Sequence, residues 1–181
     1  MKLSELLEAY LRRLRLTSGK EATLLSVSTT MRALLAHFGP DFDVATMRAP
    51  DWLGYVEARS DLAPSSIRVQ GYSLLAAIRA AVEDGELERV PCKFRFPPVE
   101  RREPQTLTEE ECTKLFRVAP RYLHGFIAAG LYLGLRIGES RTLRVGDVDL
   151  TKGEVRITPR AGWSPKSRRA RTVPISKKAR P

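Results

Sequence analysis

The chain has 181 residues, 43% of them hydrophobic, and a formal net charge of +10. That length supports one or two small domains with real cores. No apolar run is long enough to cross a bilayer, and the opening MKLSELLEAYLRRLRL alternates charge with leucine instead of forming a signal-peptide core, so a membrane partner is not expected and the expected compartment is the cytoplasm.

The first half reads as four helices. Leu3, Leu6, Leu7, Tyr10, Leu11 and Leu14 recur at intervals of three and four, one face of a helix. A second such face runs through Val27, Met31, Leu34, Leu35 and Phe38 and is stopped by Gly39-Pro40. Pro50 opens a short third helix through Trp52, Leu53 and Val56. Ser65 or Ser66 caps a fourth, with a seam of Ile67, Gly71, Leu74, Leu75, Ile78 and Val82 that ends at Asp84-Gly85. Gly71 on that seam would let another helix come close. Four amphipathic helices can bury one another's stripes, so this half is expected to be an independent bundle.

Pro91, Pro97, Pro98 and Pro104 then break the pattern, which predicts an extended linker over residues 89–105. Thr108 followed by Glu111 is a capping box. The helix it opens runs to about Ala119, and Pro120 starts the next, RYLHGFIAAGLYLG. That helix is apolar on most sides and is expected to be buried, with Gly134 ending it. A short helix through Glu139 and Leu143 follows. The period then changes to two: Glu154 to Thr158 alternates like a strand, and Arg171 to Ile175 can pair with it. The hairpin or three-stranded ribbon so formed carries Lys166 on a turn, in competition with Arg168 and Arg169. Asp147 and Asp149 read as turn and capping residues, and Trp163 as packing under the hairpin in preference to touching a nucleic acid.

Charge is concentrated at the end. From Thr151 onward there are ten basic residues against the single acid Glu154, so this segment holds nearly all of the excess. Such a block points to nucleic acid or to a solvated basic tail. Arg12, Arg13, Arg15 and Lys20 could meet phosphates or line an exposed helix face. Cys92, Cys112, His37 and His124 are isolated and read as ordinary helix or core residues, with no metal, cofactor or disulfide implied.

Arg136 is the anomaly. It lies between Leu135 and Ile137 in an apolar neighbourhood, with Glu139 three residues on. Charged side chains there are paired or used; pairing with Glu139 or Asp147 is the structural alternative. The ordered set Gly134-Leu135-Arg136-Ile137-Gly138-Glu139, Leu143 to Leu150, and Lys166 followed by Arg171-Thr172-Val173-Pro174-Ile175 resembles the tyrosine recombinases, the phage-integrase family, over essentially the whole chain.

The resemblance implies a mainly α fold with a small β-sheet. Residues 1–88 would be a SAM-like core-binding bundle, residues 89–105 a proline-rich linker, and residues 106–181 the first part of an α+β catalytic domain. It implies Arg136 as a catalytic arginine on the scissile phosphate, Glu139 as its acidic support, and Lys166 as the lysine that protonates the leaving 5′ oxygen. Arg136, Lys166, Arg168, Arg169 and Arg171 would contact duplex DNA, and further recombinase subunits would join as a tetramer. The family's His-x-x-Arg motif and its tyrosine nucleophile are missing: no tyrosine follows Arg136, and the five present fit helix cores. A C-terminally truncated recombinase, inactive alone in strand cleavage, is therefore expected. The competing readings are a natural non-catalytic DNA-binding module and a basic helical protein that binds RNA or a protein.

Overall fold

The computed structural model describes residues 1–17, 21–100 and 103–176. The fold is mainly helical with one small antiparallel sheet. The chain divides into two compact units, Met1–Arg102 and Glu103–Pro181. Lys20, Lys177, Lys178 and Arg180, part of the basic content weighed above, lie outside the described residues.

The first unit holds α1 (Leu3–Thr17), α2 (Glu21–Phe38), α3 (Ala49–Ala58) and α4 (Pro64–Glu83). The apolar stripes meet in one core that includes Leu3, Leu6, Met31, Leu34, Trp52, Tyr55, Leu74 and Ile78. Gly39 and Gly85, just past α2 and α4, take positive φ of 82° and 76°, where glycine avoids the Cβ penalty. The start of α4 differs from expectation. Its N-cap is Ala63, Pro64 occupies the first turn, and neither Ser65 nor Ser66 caps it. Proline has no N–H to satisfy and its φ suits the first helical position, so the helix starts earlier than a serine cap would allow.

A Cβ built at Gly71 would lie 2.5 Å from the Phe96 ring and 2.7 Å from the Trp52 ring. The glycine therefore admits the Trp52 side chain of α3, the approach of another helix that its place on the seam suggests, and a second ring besides. Phe96 belongs to the stretch after α4 that has no helix or strand. That stretch lies against the bundle: Leu87 is buried, and Val90, Cys92, Phe94 and Phe96 pack on the core. The Trp52 indole N–H donates to the Arg95 carbonyl at 2.7 Å, which fixes the segment in register.

The second unit begins with α5 (Glu109–Val118). The Thr108 hydroxyl accepts from the Glu111 amide at 3.2 Å and the Glu111 carboxylate accepts from the Thr108 amide at 2.8 Å. Next come α6 (Arg121–Leu133), α7 (Ile137–Thr142), and three strands: β1 (Val148–Asp149), β2 (Glu154–Ile157) and β3 (Arg171–Pro174), in the order β1-β2-β3. Both pairings are antiparallel, and β2 sets Val155 against Val173 and Ile157 against Arg171. The second core is small: Ala129, Leu135, Val155, Ile157 and Ile175, with Leu143, Val148, Trp163 and Val173 packed on it.

Helix α6 is not buried as its composition suggests. Only Ala129 is buried on it, while Tyr122 is 82% exposed and Phe126 and Leu131 are also open. Phe116 of α5 stacks on Tyr132 and meets His124 edge-on, and the sheet and Leu135 take the Ala129 side. Together these neighbours cover only part of a helix that is apolar nearly all round. The tyrosines likewise do not all sit in cores. Tyr55 does, donating to the Gln70 side-chain oxygen at 2.7 Å, but Tyr72 and Tyr122 are exposed.

Candidate phosphate-binding site

Gly134 ends α6 in the left-handed region, at φ 61°. The chain reverses there, Leu135 enters the core, and Arg136 becomes the N-cap of α7. Three residues later Glu139 points inward; its side chain is only 2% exposed. A buried carboxylate needs partners for both oxygens, and Glu139 has four. The Arg136 amide donates to Oε2 at 2.9 Å and the Arg136 Nη1 to Oε1 at 3.2 Å. Arg171 donates from Nη1 to Oε1 at 2.7 Å and from Nη2 to Oε2 at 2.6 Å. This second pair is a bidentate fork, the strong geometry for arginine and carboxylate.

The reason Arg171 turns inward is its place on β3. It lies opposite Ile157, which is buried, and it alternates with Thr172, which is exposed. Side chains directly opposite one another share a face of the sheet, so Arg171 shares the covered face with Val155, Ile157 and Val173. The Arg171 hydrogen bonds, with help from the Arg136 amide and guanidinium against the opposing effect of burial, hold the Glu139 carboxyl down to about 2.

The two arginines differ in exposure. The Arg171 side chain is 33% exposed and that of Arg136 is 60% exposed. Arg136 thus gives one guanidinium nitrogen to Glu139 and turns the rest of its fork outward. Two guanidinium groups on one carboxylate leave the cluster with a net positive charge.

Asp147 does not pair with Arg136. It accepts from the Arg144 amide at 2.8 Å and forms a close ion pair with Arg160, which also donates to the Thr142 carbonyl at 3.2 Å. Burial pushes the Asp147 carboxyl up, but the Arg160 bond and the Arg144 amide outweigh it and leave it below its ordinary range. Arg160 therefore ties the β2–β3 connection to the end of α7. Asp149 accepts from the Lys152 amide at 2.9 Å in the β1–β2 turn.

The β2–β3 connection contains a smaller turn that composition did not reveal: Arg160 and Trp163 exchange backbone hydrogen bonds of 2.8 and 3.0 Å around Gly162, at φ 77°. Trp163 packs on the second core. Pro165 is fully buried, and the Arg168 amide closes a turn onto its carbonyl at 2.9 Å. Lys166, Arg168 and Arg169 are exposed on this turn and take no part in the Glu139 cluster. Arg13, in the first unit, is engaged elsewhere: it pairs with Glu83 at 2.6 Å and Asp84 at 3.2 Å.

A helical unit is thus followed by a unit with a capped helix, an arginine at a helix start and a three-stranded sheet. Comparisons with known proteins identify relatives of this chain. The profile described as "Phage integrase family" matches residues 105–181. The tyrosine recombinase XerA of Pyrococcus furiosus is 32% identical over 120 residues, 61% of this chain and 40% of the relative. That of Thermococcus kodakarensis is 34% identical over 137 residues, 70% of this chain and 47% of the relative. Among solved structures, the Tn1549 transposon integrase in complex with a circular intermediate DNA superposes with a TM-score of 0.79 at 18% identity, over 99% of this chain and 62% of that one. A lambda integrase tetramer bound to a Holliday junction gives 0.79 at 18% identity, over 99% and 53%. The chain belongs to the tyrosine recombinase (phage integrase) family. It spans less than half the length of these two curated relatives. Among the described residues, no helix is long and apolar enough to cross a membrane.

Proposed function

We propose that this chain binds duplex DNA in site-specific recombination or integration, and that Arg136 is its grip on the backbone phosphate. The observation that carries this reading is the outward-facing Arg136 guanidinium, anchored at one nitrogen by a buried carboxylate. A planar guanidinium gives two parallel hydrogen bonds to phosphate oxygens and does not lose its proton. When a nucleophile attacks the phosphorus, negative charge builds on those oxygens, and a preorganised donor is worth roughly 3–4 kcal/mol of barrier.

In this reading Glu139 is the support that orients Arg136. Lys166, on its exposed turn, is the general acid for the leaving 5′ oxygen. Arg168 and Arg169 beside it contact phosphates, which fix register without reading sequence. Residues 1–88 act as the core-binding domain, residues 89–105 as the link, and residues 106–181 as part of the catalytic domain. Other recombinase subunits are the protein partners.

The test is anisotropy of the purified chain with labelled duplex DNA and with duplex RNA of the same sequence, titrated with salt. Each phosphate contact should contribute about −0.9 to the log–log slope on B-DNA. Preferred binding to DNA with a slope of several contacts is expected. Preference for RNA would refute the reading.

A further inference from the structure

We infer that Arg171 is a positioning residue: by filling the buried Glu139 carboxylate with its own guanidinium fork, it keeps Arg136 turned outward and available to an anion. The inference rests on the reading of Arg136 as a phosphate grip and gives Arg171 a role other than direct contact with DNA.

The hydrogen bonds divide unequally. A carboxylate offers about four acceptor positions. Arg171 takes two of them with the shortest bonds in the cluster, at 2.6 and 2.7 Å, and the Arg136 amide takes a third at 2.9 Å. The Arg136 guanidinium is left with one contact, at 3.2 Å. Arg171 is therefore the main countercharge of Glu139, and Arg136 is only lightly held.

The alternative arrangement is easy to identify. Without Arg171, Arg136 is the remaining cation paired with a carboxylate whose side chain is 2% exposed. An unpaired buried charge is expensive, so the Arg136 guanidinium would fold fully onto Glu139. Its free donors would then face inward, and a phosphate would find only the backbone of α7. Arg171 comes from a strand 32 residues away from Glu139 in sequence. The fork thus joins β3 to α7, and pairing of the sheet is what releases Arg136 to the surface.

The experiment uses the full chain, labelled with 15N on arginine, and follows the Arg136 Nε–H resonance in wild type, Arg171→Gln and Arg171→Lys. Arg171→Gln should slow solvent exchange of the Arg136 Nε–H by about fivefold, the equivalent of one added net hydrogen bond. Arg171→Lys keeps a charge near Glu139 but cannot fill both oxygens, so its exchange rate should fall between the other two. An Arg136 resonance unchanged in both variants overturns the inference. If Arg171→Gln does not fold, Arg171→Lys decides alone, since slowed exchange supports the inference and an unchanged rate overturns it.

A second arm measures the salt slope of duplex DNA binding for Arg136→Gln, Arg171→Gln and the double variant. The singles and the double should each lose about 0.9 from the slope. A loss of about 1.8 in the double would mean that Arg171 holds a phosphate of its own. If the wild-type chain binds no duplex DNA, the proposed function fails, while the exchange measurement still decides the role of Arg171.

Discussion

Replacing Glu139 by glutamine tests the anchor of the site. The amide keeps the shape of the side chain but removes the charge on which both arginines converge. Glu139 is buried, and its carboxyl is held at about 2 against an ordinary 4.5. A carboxyl depressed in the folded state stabilises the fold at pH values above its unfolded value. That contribution is lost as pH falls through the folded value. Converted at 1.36 kcal/mol per pH unit, it amounts to about 3 kcal/mol at neutral pH, similar to the cost of breaking other buried ion pairs. The assay is urea unfolding followed by pulsed hydrogen exchange on peptides covering α7 and β2, which reads the second unit separately. The gap between wild type and Glu139→Gln should be level above about pH 5 and should shrink as pH drops toward 2. A gap below about 1 kcal/mol at pH 7, or one equally large near pH 2, would refute the electrostatic account.

Three further outcomes are expected. Arg160→Gln should cost about 3 kcal/mol in the second unit, because it strands the mostly covered Asp147 carboxylate; limited proteolysis should then cut first within residues 158–170. Gly71→Ala should cost roughly 1–3 kcal/mol by forcing the Trp52 and Phe96 rings apart, visible as a lower melting midpoint for the first unit and altered tryptophan fluorescence. Lys166→Met should leave stability within about 0.5 kcal/mol of wild type, since Lys166 is exposed. The same substitution should lower the salt slope of DNA binding by about 0.9 if the lysine reaches a phosphate.

Where local chemistry decides the structure, the sequence is a good guide. Thr108 and Glu111 cap α5 reciprocally, and Gly134 ends α6 with a positive φ, because both features need only neighbours within a turn. The spacing of Leu3, Leu6, Leu7, Val27, Met31 and Leu34 finds the first core for the same reason. The errors arise where distant partners decide. The composition of α6 suggests burial, but burial depends on how much of the chain covers it. Gly71 marks a close approach, and only the fold shows that one of the two rings there, Phe96, comes from the stretch whose prolines suggest an extended linker.

Arg171 is the instructive case at the site. It reads as one more member of a basic run, yet its alternation with Thr172 and its period-two match to Val173 place it on the covered face of β3. The period-two pattern carried that information, and the charge pattern obscured it. No spacing rule could pair it with Glu139, because the sheet register that joins them is a long-range property.

The measurement that bears most directly on the central claim is the salt dependence of duplex DNA affinity for the full chain and its Arg136→Gln variant. Arg136 as a phosphate grip predicts measurable binding by the wild type, with a slope about 0.9 steeper than that of the variant. Equal slopes and equal affinities for the two proteins would mean that the outward guanidinium meets no phosphate, and would contradict the account.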